Sequence, residues 1–401
     1  MRSSRLFTVL SGLLLFSALM AAAQQPQMYS WSSAHYRVLS DSSVTEAMEI
    51  SRKLEAAQAL YKDFLHFDAD SLGRKLGVRI FRNREDYDRY LRRLIAETRS
   101  DFVYISYSDP NRSELVGFHR PEANFNASLL HYGLIQYLSA FIPAAPLWLE
   151  EGMATYLEYS QYDSMNESFT WKANYAWLDS LKRILANDKI SASLTLRDLL
   201  LVDKQQAQRQ IELFYPASWG LVHFLEQSSR KEHNRIMWES LAVLQSDASL
   251  SDNSQMVLEK AFRWVDLTDL QKAFKSYIGS LMTFNDLVRT GVDRYGNDDL
   301  AAARSSFEQA LTLRSDNYIP YYYLGLITYQ EKDFDTARGY YERAAELGID
   351  SALINYALGV NAFAQQRYEQ ARPYLLKAKQ LDAKSYRDKA DSLLRRIEVM
   401  Q

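Results

Sequence analysis

Cysteine is absent from the 401 residues, which excludes disulfides, thiolate metal sites and cysteine nucleophiles together. Glycine (14) and proline (8) are too scarce for a collagenous or linker-dominated chain. No sign of charge dominates: 47 basic against 50 acidic residues leave a net charge of −3, with no basic footprint for a dedicated nucleic-acid binder. Beyond the N-terminus no long apolar run occurs, and no G-x-S-x-G, G-x-x-x-x-G-K-[S/T] or G-x-G-x-x-G pattern is present. What the chain does have is 47% hydrophobic and 24% charged residues, ordinary globular values, and 27 tyrosines. At about 100–200 residues per domain there is room for two or three domains.

Residues 1–23 read as a secretory signal. Arg2 and Arg5 supply the positive end, Leu6 to Met20 the apolar run, and Ala21-Ala22-Ala23 the cleavage site. The apolar run is short for a bilayer span of about 20 residues, although retention as an N-terminal anchor is the alternative. Cleavage near Ala23 removes two arginines and no acids, leaving 45 basic and 50 acidic residues, a net charge of −5. The expectation is an exported protein, periplasmic or secreted, with no membrane span in the mature chain. Three sequons, at Asn111, Asn126 and Asn166, matter only in a eukaryotic source.

The mature chain begins with a polar leader over 24–33. Tyr36-Arg37-Val38 opens a strand, and the spacing predicts a helix over 44–67, a strand over 77–81, a helix near 84–98, and strand-like runs over 102–107 and 114–118. From Asn124 the pattern is helical almost to the end. Strands first and helices later is the α+β order.

The strongest organisational signal is a period of 34 residues. Gly291, Gly325 and Gly359 keep that step, as do Ala303, Ala337 and Ala371, and Ala310, Ala344 and Ala378. Leu300, Phe334 and Tyr368, and Phe307, Tyr341 and Leu375, follow the same register. Small residues are required where two antiparallel helices cross closely, and large ones fill the groove between them. The pattern resembles the tetratricopeptide repeat. It predicts three repeats within residues 283–385 and a capping helix over 386–401, an all-α solenoid following the α+β domain of residues 30–280. In such a solenoid the first helix of each pair lines the inner wall. Tyr295, Tyr329 and Phe363 form one row on these helices and Val288, Tyr322 and Tyr356 a second. Facing a groove, the rows suit a protein or peptide partner; facing inward, they fill the helix–helix core.

Between the strands and the repeats stand Leu130-His131-Tyr132-Gly133-Leu134-Ile135 and Pro146-Leu147-Trp148-Leu149-Glu150-Glu151-Gly152-Met153-Ala154-Thr155-Tyr156. Here the chain resembles the peptidase MA-like gluzincin metallopeptidases, in which H-E-x-x-H is followed by P-x-W-L-x-E-G-x-A-x-Y. The resemblance extends over about residues 30–280, including Tyr215-Pro216-Ala217-Ser218-Trp219-Gly220-Leu221. In that family two histidines one turn apart grip zinc, the intervening Glu takes a proton from bound water, and the later Glu is the third ligand. Mapped onto this chain, His131 and Glu151 occupy ligand positions, but Tyr132 stands at the base and Ile135 at the second histidine. Losing the base alone removes about 10²- to 10⁴-fold of rate, and an unperturbed phenol with a pKa of about 10 is a poor replacement. The resemblance therefore implies a domain without catalytic residues or cofactor, whose former cleft is still able to take a polypeptide. His131 is expected as a satisfied buried histidine, and Glu151 as a group that caps or pairs near its helix start. The alternative is a zinc metallopeptidase with an unorthodox ligand set, for which His35, His66, His119, His223 and His233 are the other imidazoles.

Overall fold

A computed structural model describes residues 26–348 and 351–400, so the leader expected at 1–23 lies outside the described residues. Alternation decides the first strands. In β2 (Tyr36–Ser40) the residues Tyr36, Val38 and Ser40 are buried while Arg37 faces out, and it pairs antiparallel with β1 (Tyr29–Ser32). Helix α1 (Val44–Leu65) starts where the Ser43 side chain accepts the Glu46 N–H and stops at His66, whose φ of 56° is left-handed. Then come β3 (Leu76–Phe81), α2 (Arg84–Ile95), β4 (Val103–Ile105) and β5 (Glu114–Phe118). The sheet order is β1-β2-β3-β5-β4: three parallel central strands with an antiparallel strand at each edge.

Two local expectations need correction. The segment read as a polar leader contains β1, an edge strand with three exposed residues. The helical stretch expected from Asn124 is interrupted by the hairpin β6 (Gln161–Asp163) and β7 (Ser168–Thr170).

Helix α3 (Glu122–Phe141) is fixed to this scaffold by polar contacts. The Tyr61 hydroxyl donates to the Leu130 carbonyl at 2.7 Å, the Tyr137 hydroxyl donates to the Phe67 carbonyl, and Gln136 Nε2 donates to the Gly77 carbonyl of β3 at 2.7 Å. The chain divides into two compact units. One ends at Phe141 and takes back Glu158–Lys172; the other holds Ile142–Leu157 and everything from Ala173 onward.

The second unit is helical. It comprises α4 (Leu147–Leu157), α5 (Leu178–Ala186), the short α6 (Asp188–Ser193), α7 (Leu196–Leu200) and α8 (Lys204–Arg209), then α9 (Ile211–Gln227), α10 (Lys231–Ala242), α11 (Leu250–Met256) and α12 (Leu267–Ser280). At Gly152 an added Cβ would stand 2.6 Å from the Ser218 carbonyl, so α4 and α9 cross backbone to backbone.

Three helix pairs follow in the same unit: α13 (Phe284–Gly296) with α14 (Leu300–Leu313), α15 (Tyr318–Gln330) with α16 (Phe334–Leu347), and α17 (Ala352–Ala364) with α18 (Tyr368–Leu381). Helix α19 (Ala383–Met400) closes the array with Ala390, Leu394 and Ile397 against Ala371 and Leu375. The 34-residue step governs contacts as well as composition. A Cβ on Gly291, Gly325 or Gly359 would come within 2.7 Å of Phe307, 2.5 Å of Tyr341 or 2.8 Å of Leu375. Caps recur too: Thr283, Asn317 and Ser351 accept backbone N–H groups at the starts of α13, α15 and α17. Asp298, Lys332 and Gln366 turn each pair with φ of 61°, 67° and 60°. Asp299 and Asp333 then cap α14 and α16, whereas Arg367 gives α18 no side-chain cap.

Candidate functional site

Helix α3 carries three of the residues singled out by the degenerate motif. His131, Tyr132 and Ile135 are all partly buried. His131 Nδ1 lies 2.9 Å from Glu158 Oε2, with the two side chains 12% and 18% exposed, and its ring sits 4.8 Å from that of Tyr132. One turn along, Ile135 offers hydrocarbon where a two-imidazole grip needs a nitrogen. The α3 residues therefore do not fit a His-x-x-x-His zinc clasp. Among the described residues no group of three His, Asp or Glu side chains is placed to hold one metal ion.

Glu151 belongs to the other unit, on α4, partly buried within the first half of that helix. Around it, Trp148 is fully buried, Thr155 Oγ1 donates to the Glu151 carbonyl at 2.6 Å, and Gln227 Nε2 of α9 donates to the Tyr156 hydroxyl at 2.6 Å. The remaining imidazoles are engaged elsewhere. His35 bridges Glu55 and Asp70, and His119 meets Glu46 while stacking on Phe125 at 5.4 Å. Ser228 Oγ lies 2.7 Å from His233 Nδ1. His66 closes α1 through its backbone. His223 lies inside the second unit with Tyr277 at 2.9 Å from Nδ1, and burial lowers its pKa to about 4, so the ring is neutral.

The repeat rows assemble a different surface. Val288, Tyr295, Tyr322, Tyr329, Tyr356 and Phe363 are all partly buried. Each aromatic ring packs on a neighbour: Tyr295 on Tyr323 at 5.3 Å, Tyr322 on Tyr341 at 6.2 Å, Tyr329 on Phe334 at 5.4 Å, Phe363 on Tyr368 at 5.5 Å. Tyr356 packs on Tyr386 of α19 at 5.1 Å. The rows thus both contribute to the helix–helix cores and keep area at the surface. Burial first, then Tyr386, Tyr323 and Tyr295, push the Tyr322 hydroxyl up to about 12. Burial and then Tyr329 raise Tyr356, and burial followed by Asp382 and Tyr356 raises Tyr386. These phenols are close enough to repel one another if ionised, so at neutral pH they stay protonated and can donate hydrogen bonds.

A family model described as tetratricopeptide repeat matches residues 288–352 and again 333–388. These are tetratricopeptide repeats. A second model, described as a protein of unknown function (DUF1570), matches residues 127–242, a span that takes in His131, Glu151 and α9. No curated protein matches the chain. Tetratricopeptide repeats commonly mediate protein–protein binding, and the tyrosine rows are the part of this array with the rigid, amphipathic rings such contacts use. No helix among the described residues is long and apolar enough to cross a membrane.

Sequence reasoning missed two participants. Tyr386 joins the tetratricopeptide rows from α19, outside the 34-residue step, whose next member after Tyr356 is the buried Ala390. Glu158 partners His131 across 27 residues, and its only signal was its place at the end of the Trp148–Tyr156 segment.

Proposed function

We propose that the protein is a non-catalytic, protein-binding scaffold of the cell envelope, built from a pseudo-metallopeptidase domain and a tetratricopeptide-repeat module. The observation that carries the first half is on α3: His131 is paired with Glu158, and the next inward turn presents Ile135. A hydrolytic zinc site needs three protein ligands and a proton acceptor, and this helix offers one imidazole and a phenol. The tyrosine rows support the second half by giving a peptide partner aromatic faces and hydroxyl donors. A polypeptide held in the former cleft would need its shape but no metal.

The decisive measurement is metal content of the purified protein beside a peptide-cleavage assay with and without chelator. The scaffold reading expects no stoichiometric zinc and no chelator-sensitive cleavage; one tight zinc per chain together with such cleavage overturns it. A second reading, an unorthodox zinc metallopeptidase, draws on the same His131–Glu158 pair, because ligand histidines commonly donate their far nitrogen to a carboxylate. Under that reading His131→Ala abolishes both metal and activity. Export is the localisation that the N-terminal pattern supports. N-terminal sequencing of protein recovered from the envelope or medium should begin at or near Gln24.

A further inference from the structure

Charge is unevenly spread along the tetratricopeptide array. Helices α15 and α17 contain no charged residue, and α13 balances two acids against two bases. The closing helix α19 carries five basic residues against three acidic ones, and Asp391 among the acids is committed to Lys379 at 2.6 Å. The tyrosine rows therefore end against a basic helix.

Two of those bases stand over aromatic rings. The Arg396 guanidinium lies 4.9 Å from the ring centre of Phe363 on α17, and Lys389 Nζ lies 5.4 Å from that of Tyr386, which packs on Tyr356. Leu393 falls between the two bases in sequence and shares a cluster with Tyr356 and Phe363. Both cations are exposed, and neither forms an ion pair among the described residues. The neighbouring acids do not answer them. Asp388 and Glu398 are turned about 100° and 160° around the helix from Lys389 and Arg396. Asp382, which acts on Tyr386, directs its carboxylate to the Ser385 N–H at 3.0 Å. A ring face holds a cation in place without neutralising it, so both charges stay available to a third group. Tyr356, Phe363, Tyr386 and Leu393 are only partly buried and keep apolar area beside them.

We propose that this end of the array recognises an acidic, apolar polypeptide segment. Its large apolar side chains lie against Tyr356, Phe363 and Leu393, and its Asp or Glu carboxylates meet Lys389 and Arg396. The proposal rests on the scaffold reading of the tyrosine rows and adds to it the sign of the partner's charge. A basic segment with the same apolar residues is rejected by like-charge repulsion.

The test selects peptides from a random phage-displayed dodecapeptide library on two proteins, the full natural chain and its Lys389→Glu/Arg396→Glu double variant. Affinities of the enriched peptides are then read by fluorescence polarisation. Peptides enriched on the natural chain should pair Asp or Glu with Phe, Leu, Ile or Trp and lose about tenfold or more in affinity to the double variant. They should also bind more weakly as NaCl rises from about 50 to about 500 mM. The double variant should instead enrich Lys- or Arg-bearing peptides with the same apolar residues, a swap that unfolding does not produce. Should the reversal lower the melting temperature, Lys389→Gln/Arg396→Gln removes the charges alone and should still weaken the acidic peptides. Peptides that lose affinity to Tyr329→Ala, yet show no acidic bias and bind both proteins equally, would leave the scaffold reading standing and overturn this proposal. The absence of any peptide sensitive to either change would remove both. Binding of phosphatidylglycerol vesicles that the double variant abolishes, with no acidic peptide bound, would assign the cations to a lipid surface and overturn it as well.

Discussion

Gly325 and Gly133 both sit inside helices and both face a tyrosine, yet they belong to regions that use their residues differently. On α15 a Cβ at Gly325 would come 2.5 Å from the Tyr341 ring, and the same close approach recurs at Gly291 and Gly359. On α3 a Cβ at Gly133 would come 2.9 Å from the Tyr61 hydroxyl, which itself donates to Leu130, and no other glycine among the described residues repeats the arrangement. The repeat region states each packing rule three times. The region before residue 283 states each rule once, through contacts such as Tyr61–Leu130 and Gln136–Gly77 that join distant positions. Redundancy makes the first kind of rule readable from spacing alone; the second kind becomes visible only when the partners are seen together.

The largest expected effect tests the repeated rule. Gly325→Val drives branched carbon into a rigid, buried ring and should cost about 2–3 kcal/mol of unfolding free energy in denaturant melts. If it is neutral, the close crossing is not what fixes the pair. Glu226, in the singly stated region, gives the next effect. Burial lifts its carboxyl from 4.5 to about 7, so the folded state binds a proton that the unfolded state releases between those values. Stability from this group is therefore lost as pH rises through that window. Glu226→Gln should stabilise by about 2 kcal/mol at pH 8 and leave stability at pH 4 nearly unchanged. Equal effects at both pH values would remove burial as the cause.

Tyr61→Phe deletes a buried hydrogen bond to a helix carbonyl and should cost about 1–2 kcal/mol, read by the same melts. The smallest effects sharpen the comparison from the other side. Gly339→Ala, within α16 and with nothing inside 4 Å of the new methyl, should stabilise by about 0.5–1 kcal/mol. Arg367→Asp restores the cap that Asp299 and Asp333 supply to the other two pairs, and should gain a similar amount.

Legibility followed the same division. The helix pairs, their glycines and their alanines are readable from the period; β2 and β3 are readable from alternation, and β5 from a short run buried from Leu115 to Phe118. Strand β1 is not, because its aromatic alternation, Tyr29 and Trp31 between serines, lasts only four residues and lies exposed along an edge. The β6–β7 hairpin escaped for a related reason: each strand has three residues and only Phe169 is buried. The motif residues on α3 could be located by pattern, but the carboxylate that holds His131 could not. Glu158 meets it through folding, and the intervening residues keep no period linking the two. The tyrosine rows were located by step, while their division between core and surface depended on rings contributed by neighbouring helices, such as Tyr323, Tyr341 and Tyr386.

The way α19 finishes the array has a practical corollary. Its Ala390, Leu394 and Ile397 cover the third pair much as a further pair would, sharing one cluster with Ala362 of α17 and with Ala371 and Leu375 of α18. A copy of the 34 residues 348–381 could thus be grafted in after Leu381 with the terminal lid retained, lengthening the module in whole increments while the sheet-bearing part is left untouched. The chain carries, in effect, its own extension kit.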